Sequence, residues 1–127
     1  MPNPAPGFEQ HPNYSVVIEP SSTRVRVHAG EVLVADSTTP LKLSESNLPQ
    51  VWYLPLADVD QSLLERTDTS TYCPFKGRAS YWSIRTNAGV TEDAIWAYEK
   101  PFDECAPLAG YVAFYPNKVR IHPDAQD

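Results

Sequence analysis

The densest concentration of reactive chemistry in the 127-residue chain is one short run, Cys73-Pro74-Phe75-Lys76-Gly77-Arg78. A cysteine close to cations is a candidate nucleophile or redox-sensitive thiol, because positive charge favours the thiolate, which is the reactive form. Lys76 and Arg78 flank a glycine, where the backbone can turn sharply and present its own N–H groups, so the loop is a candidate cradle for a phosphate or carboxylate. Tyr81 and Trp82 follow directly and offer ring faces to a planar ligand. Two carboxylates at expected strand ends, Glu45 and Glu99, are candidates for pairing with either cation or for acid–base work. Each feature also has an ordinary structural reading. A free cysteine is commonly a small buried hydrophobe, cations on a turn are commonly solvated, paired rings are commonly core, and strand-end carboxylates commonly face water.

These side chains require short strands to position them. Val16 and Ile18, Val25 and Val27, and Val32 and Val34 alternate with other residues, the period of strands with one buried face. Ala29-Gly30 separates the second and third of these, which predicts a β-hairpin over 24–36. Leu41 and Leu43 continue the alternation, and Val51-Trp52-Tyr53-Leu54 forms an apolar run between Pro49 and Pro55; both suit strands near a sheet edge. Leu56, Val59, Leu63 and Leu64 recur at helical spacing, and Asp58 or Asp60 is a candidate cap, so at most two turns of helix fit there. A loop is expected over 67–71. A strand follows around 79–85, then a turn at 87–89, a returning strand over 95–98, and a connecting turn or short helix over 101–108. Residues 111–115 and 119–122 are expected to pair across Pro116-Asn117. The rings of Trp52 and Tyr53, Tyr81 and Trp82, and Trp96 and Tyr98 are expected to divide between opposite faces of their strands, with one set in the core and the other forming an aromatic wall.

Composition narrows the function classes. Ten Lys plus Arg against sixteen Asp plus Glu give a formal charge of −6, which disfavours nucleic acid and anionic membrane surfaces as partners. Thirteen prolines recur along the chain and argue against long helices. Residues 1–14 hold four of them and read as a flexible, extended arm; 15–123 read as one β domain and 124–127 as a tail. No apolar run is long enough to span a bilayer, and the first residues lack the basic start and apolar stretch of a secretion signal, so the expected setting is the cytoplasm. Cys73 and Cys105 form no C-x-x-C pair, and His11, His28 and His122 are widely separated, so no metal site and no cofactor is expected. The phosphate-loop and dinucleotide glycine patterns are missing.

The segment Thr71-Tyr72-Cys73-Pro74-Phe75-Lys76-Gly77-Arg78-Ala79-Ser80-Tyr81-Trp82 resembles the domain of unknown function 427 family. The resemblance includes Trp52-Tyr53-Leu54-Pro55 before it and Ala94-Ile95-Trp96-Ala97-Tyr98 and Gly110-Tyr111-Val112-Ala113-Phe114-Tyr115 after it, and spans most of 24–122. It implies a mainly β domain of two packed antiparallel sheets of short strands, of the Mss4-like or β-tent kind, with one or two short helical turns. Relatives of that architecture commonly carry zinc on two C-x-x-C pairs; the absence of such pairs here implies a metal-free version. The family also carries a nucleotidyltransferase-type name, which no motif in this sequence supports.

The resulting expectation is a small β domain binding a small anionic or planar ligand through Lys76, Arg78, Tyr81 and Trp82. The alternatives are an enzyme, nucleotidyltransferase-like or thiol-dependent, with Cys73, Glu45 or Glu99 as the reactive group, and a non-catalytic interaction module. With the interaction module goes a possible homodimer formed through apolar strand faces.

Overall fold

The computed structural model describes residues 2–124. The described residues form ten strands: β1 (Val16–Pro20), β2 (Val25–Ala29), β3 (Val32–Ser37), β4 (Leu41–Glu45), β5 (Val51–Pro55), β6 (Leu64–Cys73), β7 (Gly77–Thr86), β8 (Gly89–Ala97), β9 (Tyr111–Phe114) and β10 (Arg120–Pro123). They form two antiparallel sheets, one ordered β1-β4-β5-β9-β8-β7-β6 and one ordered β10-β2-β3. Among the described residues, helical structure is confined to a four-residue α1 (Gly7–Gln10) and the 3-10 segments Leu56–Asp58, Gln61–Leu63 and Asp103–Leu108. The mainly β, two-sheet architecture implied by the sequence is the one observed. No helix among the described residues is long and apolar enough to cross a membrane.

The central strands of the large sheet are apolar on both faces. Against the small sheet it presents Leu54, Ile84, Ile95, Val112 and Phe114, which pack on Val25, Val27 and Val34. On its other face lie Leu41, Leu43, Tyr53, Tyr81, Tyr98 and Ala113, covered in part by Cys105 and Leu108 of the Asp103–Leu108 segment. This explains the unbroken run Val51-Trp52-Tyr53-Leu54: neighbours in it point to opposite faces, and both are buried, as in any strand enclosed by two layers. β4 and β5, expected near a sheet edge, are the second and third strands from the β1 edge, and both are paired on each side. Pro55 is accommodated because it ends its strand.

The 24–36 hairpin forms as expected, with Gly30 at φ 61° in its turn. Three other expectations are corrected. β9 does not pair with β10, because its two edges are already occupied by β5 and β8; the chain instead crosses to the small sheet, where β10 pairs with β2. Residues 67–71 are part of strand β6, not a loop, although a bulge interrupts pairing between Arg66 and Ser70. Residues 2–14 do not extend freely. Ala5 is buried, the Gly7 N–H donates to the Pro74 carbonyl at 3.0 Å, and Phe8 and Tyr14 pack on Phe75. Of the expected 124–127 tail, Asp124 pairs with Arg26 at 2.8 Å, and 125–127 lie outside the described residues. The helical spacing after Pro55 resolves into two separate 3-10 turns, the second capped by Asp60 accepting from the Ser62 N–H.

Asp93 anchors the bulge of β6. It adopts φ 47°, and its carboxylate accepts from the Thr67 and Thr69 hydroxyls, each at 2.6 Å. Those donors, Thr67 first, hold its carboxyl below the ordinary 3.8. A carboxyl whose pKa is lowered in the folded state stabilises fully above its unfolded value, and that contribution is lost as pH falls through the folded value. Asp93→Asn is expected to be less stable than wild type near neutrality and to lose stability less steeply below about pH 4. Urea denaturation across that range measures this; an identical acid slope would contradict the assignment.

Candidate functional site

Strand parity brings the site together. On β4, Leu41, Leu43 and Glu45 share the buried face, so the alternation that packs two leucines also carries a carboxylate inside. Opposite it, the turn from Cys73 to Gly77 joins β6 to β7. Gly77 has φ +124°, a backbone conformation that side chains strongly disfavour, and a Cβ there would stand 3.4 Å from the Lys100 carbonyl oxygen. This turn sends Lys76 inward, where its Nζ donates to Glu45 Oε1 at 2.5 Å and lies 5.9 Å from the centre of the Tyr98 ring. The two side chains are only 10% and 8% exposed. Every other ion pair among the described residues is far more open to solvent. Cys73 Sγ accepts a long contact from the same ammonium at 4.0 Å, and the Tyr14 hydroxyl donates to Glu45 Oε2.

The pair borders a hollow of about 230 Å³ walled by the rings of Tyr53, Tyr81, Trp96, Tyr98 and Tyr115. Their polar atoms are linked: Trp96 Nε1 donates to the Tyr53 hydroxyl at 3.2 Å, and Tyr115 donates to the Tyr81 hydroxyl at 3.3 Å. Thr71 and Tyr81 share a further hydrogen bond at 2.8 Å. Burial pushes the Tyr53, Tyr98 and Tyr115 phenols well above their ordinary value, and burial together with the hydrogen bond to Glu45 raises Tyr14 to about 12. These phenols stay protonated at physiological pH and act as neutral hydrogen-bonding groups. The hollow thus combines ring faces, neutral hydroxyls, one ammonium and one carboxylate.

Of the residues singled out in the sequence, Glu45, Lys76 and Tyr81 border this hollow, and Cys73 adjoins it. Arg78, Trp82 and Glu99 do not. Arg78 is exposed and sits 5.8 Å from the Tyr72 ring centre. Trp82 packs against the core between the sheets, with the Arg66 guanidinium 5.1 Å from its ring. The reason is parity: on β7, Gly77, Ala79 and Tyr81 face one way, and Arg78, Ser80 and Trp82 the other. Glu99 pairs with Arg66 at 2.7 Å and accepts from Ser80, and Arg66 chiefly holds its carboxyl below the ordinary range. Trp96 and Tyr98 both border the hollow instead of dividing between faces, as residues two apart must. Cys105 is buried, donates to the Phe75 carbonyl, and its thiol is pushed up to about 11 by burial. Tyr14 and Tyr115 were not anticipated. The signal for Tyr115 was its place in the apolar run after Gly110, whereas Tyr14 stands among prolines and polar residues that gave no hint of burial.

His28 and His122 meet edge to face at 5.4 Å on the small sheet. Among the described residues, no group of three or more His, Cys, Asp or Glu side chains is arranged to hold a metal ion.

Fold and site together define a small two-sheet β domain with an aromatic hollow built around a buried ion pair. The chain belongs to the family described as a domain of unknown function, DUF427, which matches residues 17–125. No curated protein matches the chain.

Removing one partner of a buried ion pair leaves an uncompensated charge and costs about 3–5 kcal/mol, whereas replacing both by apolar groups is often neutral. Lys76→Met is expected to destabilise by about that amount, and Lys76→Met combined with Glu45→Leu to recover most of it. Denaturant titration of the single and double variants is the measurement. Losses that simply add would show that the two groups act independently.

Proposed function

We propose that the domain binds a small planar ligand in the hollow, held between its rings and oriented by Lys76 and Glu45. The observation that carries this reading is a buried ion pair at the border of an aromatic hollow. For folding alone, apolar side chains of similar volume would serve as well or better, so a lysine and a carboxylate kept out of water there are better explained by what they contact. Because Glu45 already neutralises Lys76, the site favours shape and hydrogen-bonding pattern over net charge, which shifts the expectation from anionic towards planar ligands. About 230 Å³ lies below the roughly 300–1,000 Å³ of sites that enclose drug-sized molecules, and suits a single ring system better than a nucleoside triphosphate. In this reading the Cys-Pro-Phe-Lys-Gly-Arg segment contributes Lys76, and Arg78 has no part. Two unpaired thiols, Cys73 and Cys105, suit a reducing cytoplasmic setting. We also read the two packed sheets as the β-tent arrangement implied by the resemblance.

The test is a panel of benzoate, nicotinamide, uracil and inorganic phosphate, followed by the Trp96 indole N–H resonance and by melting temperature. At least one planar compound is expected to move the Trp96 signal and raise the melting temperature, and Tyr81→Ala is expected to abolish both effects. If only phosphate acts, or if the responding residues are Arg78 and Tyr72, the hollow is not the site.

One observation favours a thiol-dependent enzyme as a second reading: the Lys76 ammonium stands 4.0 Å from Cys73 Sγ beside the same hollow. That reading requires iodoacetamide to alkylate Cys73 faster than it alkylates glutathione at the same pH, and Lys76→Met to slow the reaction. Alkylation no faster than that of glutathione would leave Cys73 a packing residue.

A further inference from the structure

The family match begins at residue 17, yet a segment before it reaches the site. Residues 2–14 form a strap held at three places. At its start, the Asn3 N–H donates to Asp103 Oδ2 at 2.7 Å and the Ala5 N–H to Glu104 Oε1 at 2.8 Å, which ties the strap to the 3-10 segment covering the second face of the large sheet. Further along, Gly7 crosses the turn that carries Lys76. Its N–H bonds to the Pro74 carbonyl at 3.0 Å, and a Cβ at Gly7 would fall 2.7 Å from the Phe75 ring, so only glycine fits this crossing without displacement. At its end, Tyr14 stacks on Phe75 with ring centres 4.0 Å apart and planes at 16°, and its hydroxyl reaches Glu45.

Each oxygen of the Glu45 carboxylate therefore has its own donor from a different part of the chain, Lys76 on Oε1 and Tyr14 on Oε2. A buried carboxylate with one oxygen unpaired is costly and tends to move towards another donor or water. We infer that the strap is a working part of the site and that Tyr14 is its positioning residue, holding Glu45 in register with Lys76. The consequence for ligands rests on the hollow being a binding site: strap docking and occupancy of the hollow would then favour each other by linkage. The positioning role itself stands on the geometry of Tyr14, Glu45 and Lys76.

The experiment uses the full chain without ligand, so its failure and that of the binding reading are distinguishable. The side-chain ammonium of Lys76 is observed by ¹⁵N-edited NMR at low temperature, where an ammonium enclosed in a hydrogen-bonded pair exchanges slowly with water. Tyr14→Phe keeps the ring stack and removes only the hydroxyl; Gly7→Val disturbs the crossing at Phe75, on which Tyr14 stacks, without substituting any member of the cluster. Both are expected to speed Lys76 ammonium exchange at least tenfold while the backbone resonances of the small sheet stay unchanged. A Tyr14→Phe variant that melts earlier but keeps wild-type exchange would reduce Tyr14 to a packing residue and overturn the inference. Wild-type exchange in Gly7→Val would overturn the coupling between strap and site, as would the absence of a slowly exchanging Lys76 ammonium in the wild-type protein.

Discussion

The central strands of the large sheet are apolar on both faces, and the remaining layers are arranged around that constraint. A sheet with one oily face needs one cover, whereas this one needs two. The three-stranded sheet supplies the first, seating Val25, Val27 and Val34 on Leu54, Ile84 and Ile95. The second face has no comparable partner. It is covered piecemeal by Cys105 and Leu108, with the 2–14 strap fastened to the segment that carries them. The hollow lies where this patchwork leaves the face open, and its walls are tyrosines and a tryptophan, side chains whose bodies belong to a core and whose tips can meet polar groups.

Polar groups in such a place must satisfy one another. Glu45 and Lys76 lie too deep to be solvated freely, so each depends on the other, and the second carboxylate oxygen depends on Tyr14. The surrounding Tyr53, Tyr98 and Tyr115 phenols are neutral groups that add no charge, and burial holds them still further from ionisation. The surface pairs Arg24–Asp36 and Arg85–Glu65 are different in kind, because water screens them and each side chain has solvent as an alternative partner. The interior pair is thus the electrostatic feature on which the local structure depends, and it draws β4, the 73–77 turn and the strap to one point.

Much of this was legible in the residues. Period-two alternation marks β1 to β4, Gly30 marks the hairpin, and the scatter of prolines excludes long helices. The parity that buries Glu45 with Leu41 and Leu43 and parts Tyr81 from Trp82 is present in the sequence, although Glu45 read as a strand-end carboxylate and the two rings as one ligand site. Other features were hidden by competing signals. The Thr- and Ser-rich stretch of β6 reads as a loop because its side chains are exposed and a bulge breaks its pairing. The apolar spacing after Pro55 reads as a helix although the backbone makes only two 3-10 turns.

Local pattern, then, determined most of the strands and the face each side chain takes within them, because pleating and backbone sterics act over a few residues. Tertiary structure alone decided which strands meet, sending β10 to β2 and placing β4 and β5 inside the sheet, because pairing depends on which edges distant segments leave open. For the same reason it supplied the partner of Lys76, a carboxylate thirty-one residues away in the chain, whereas the parity of β7 leaves Arg78 outside.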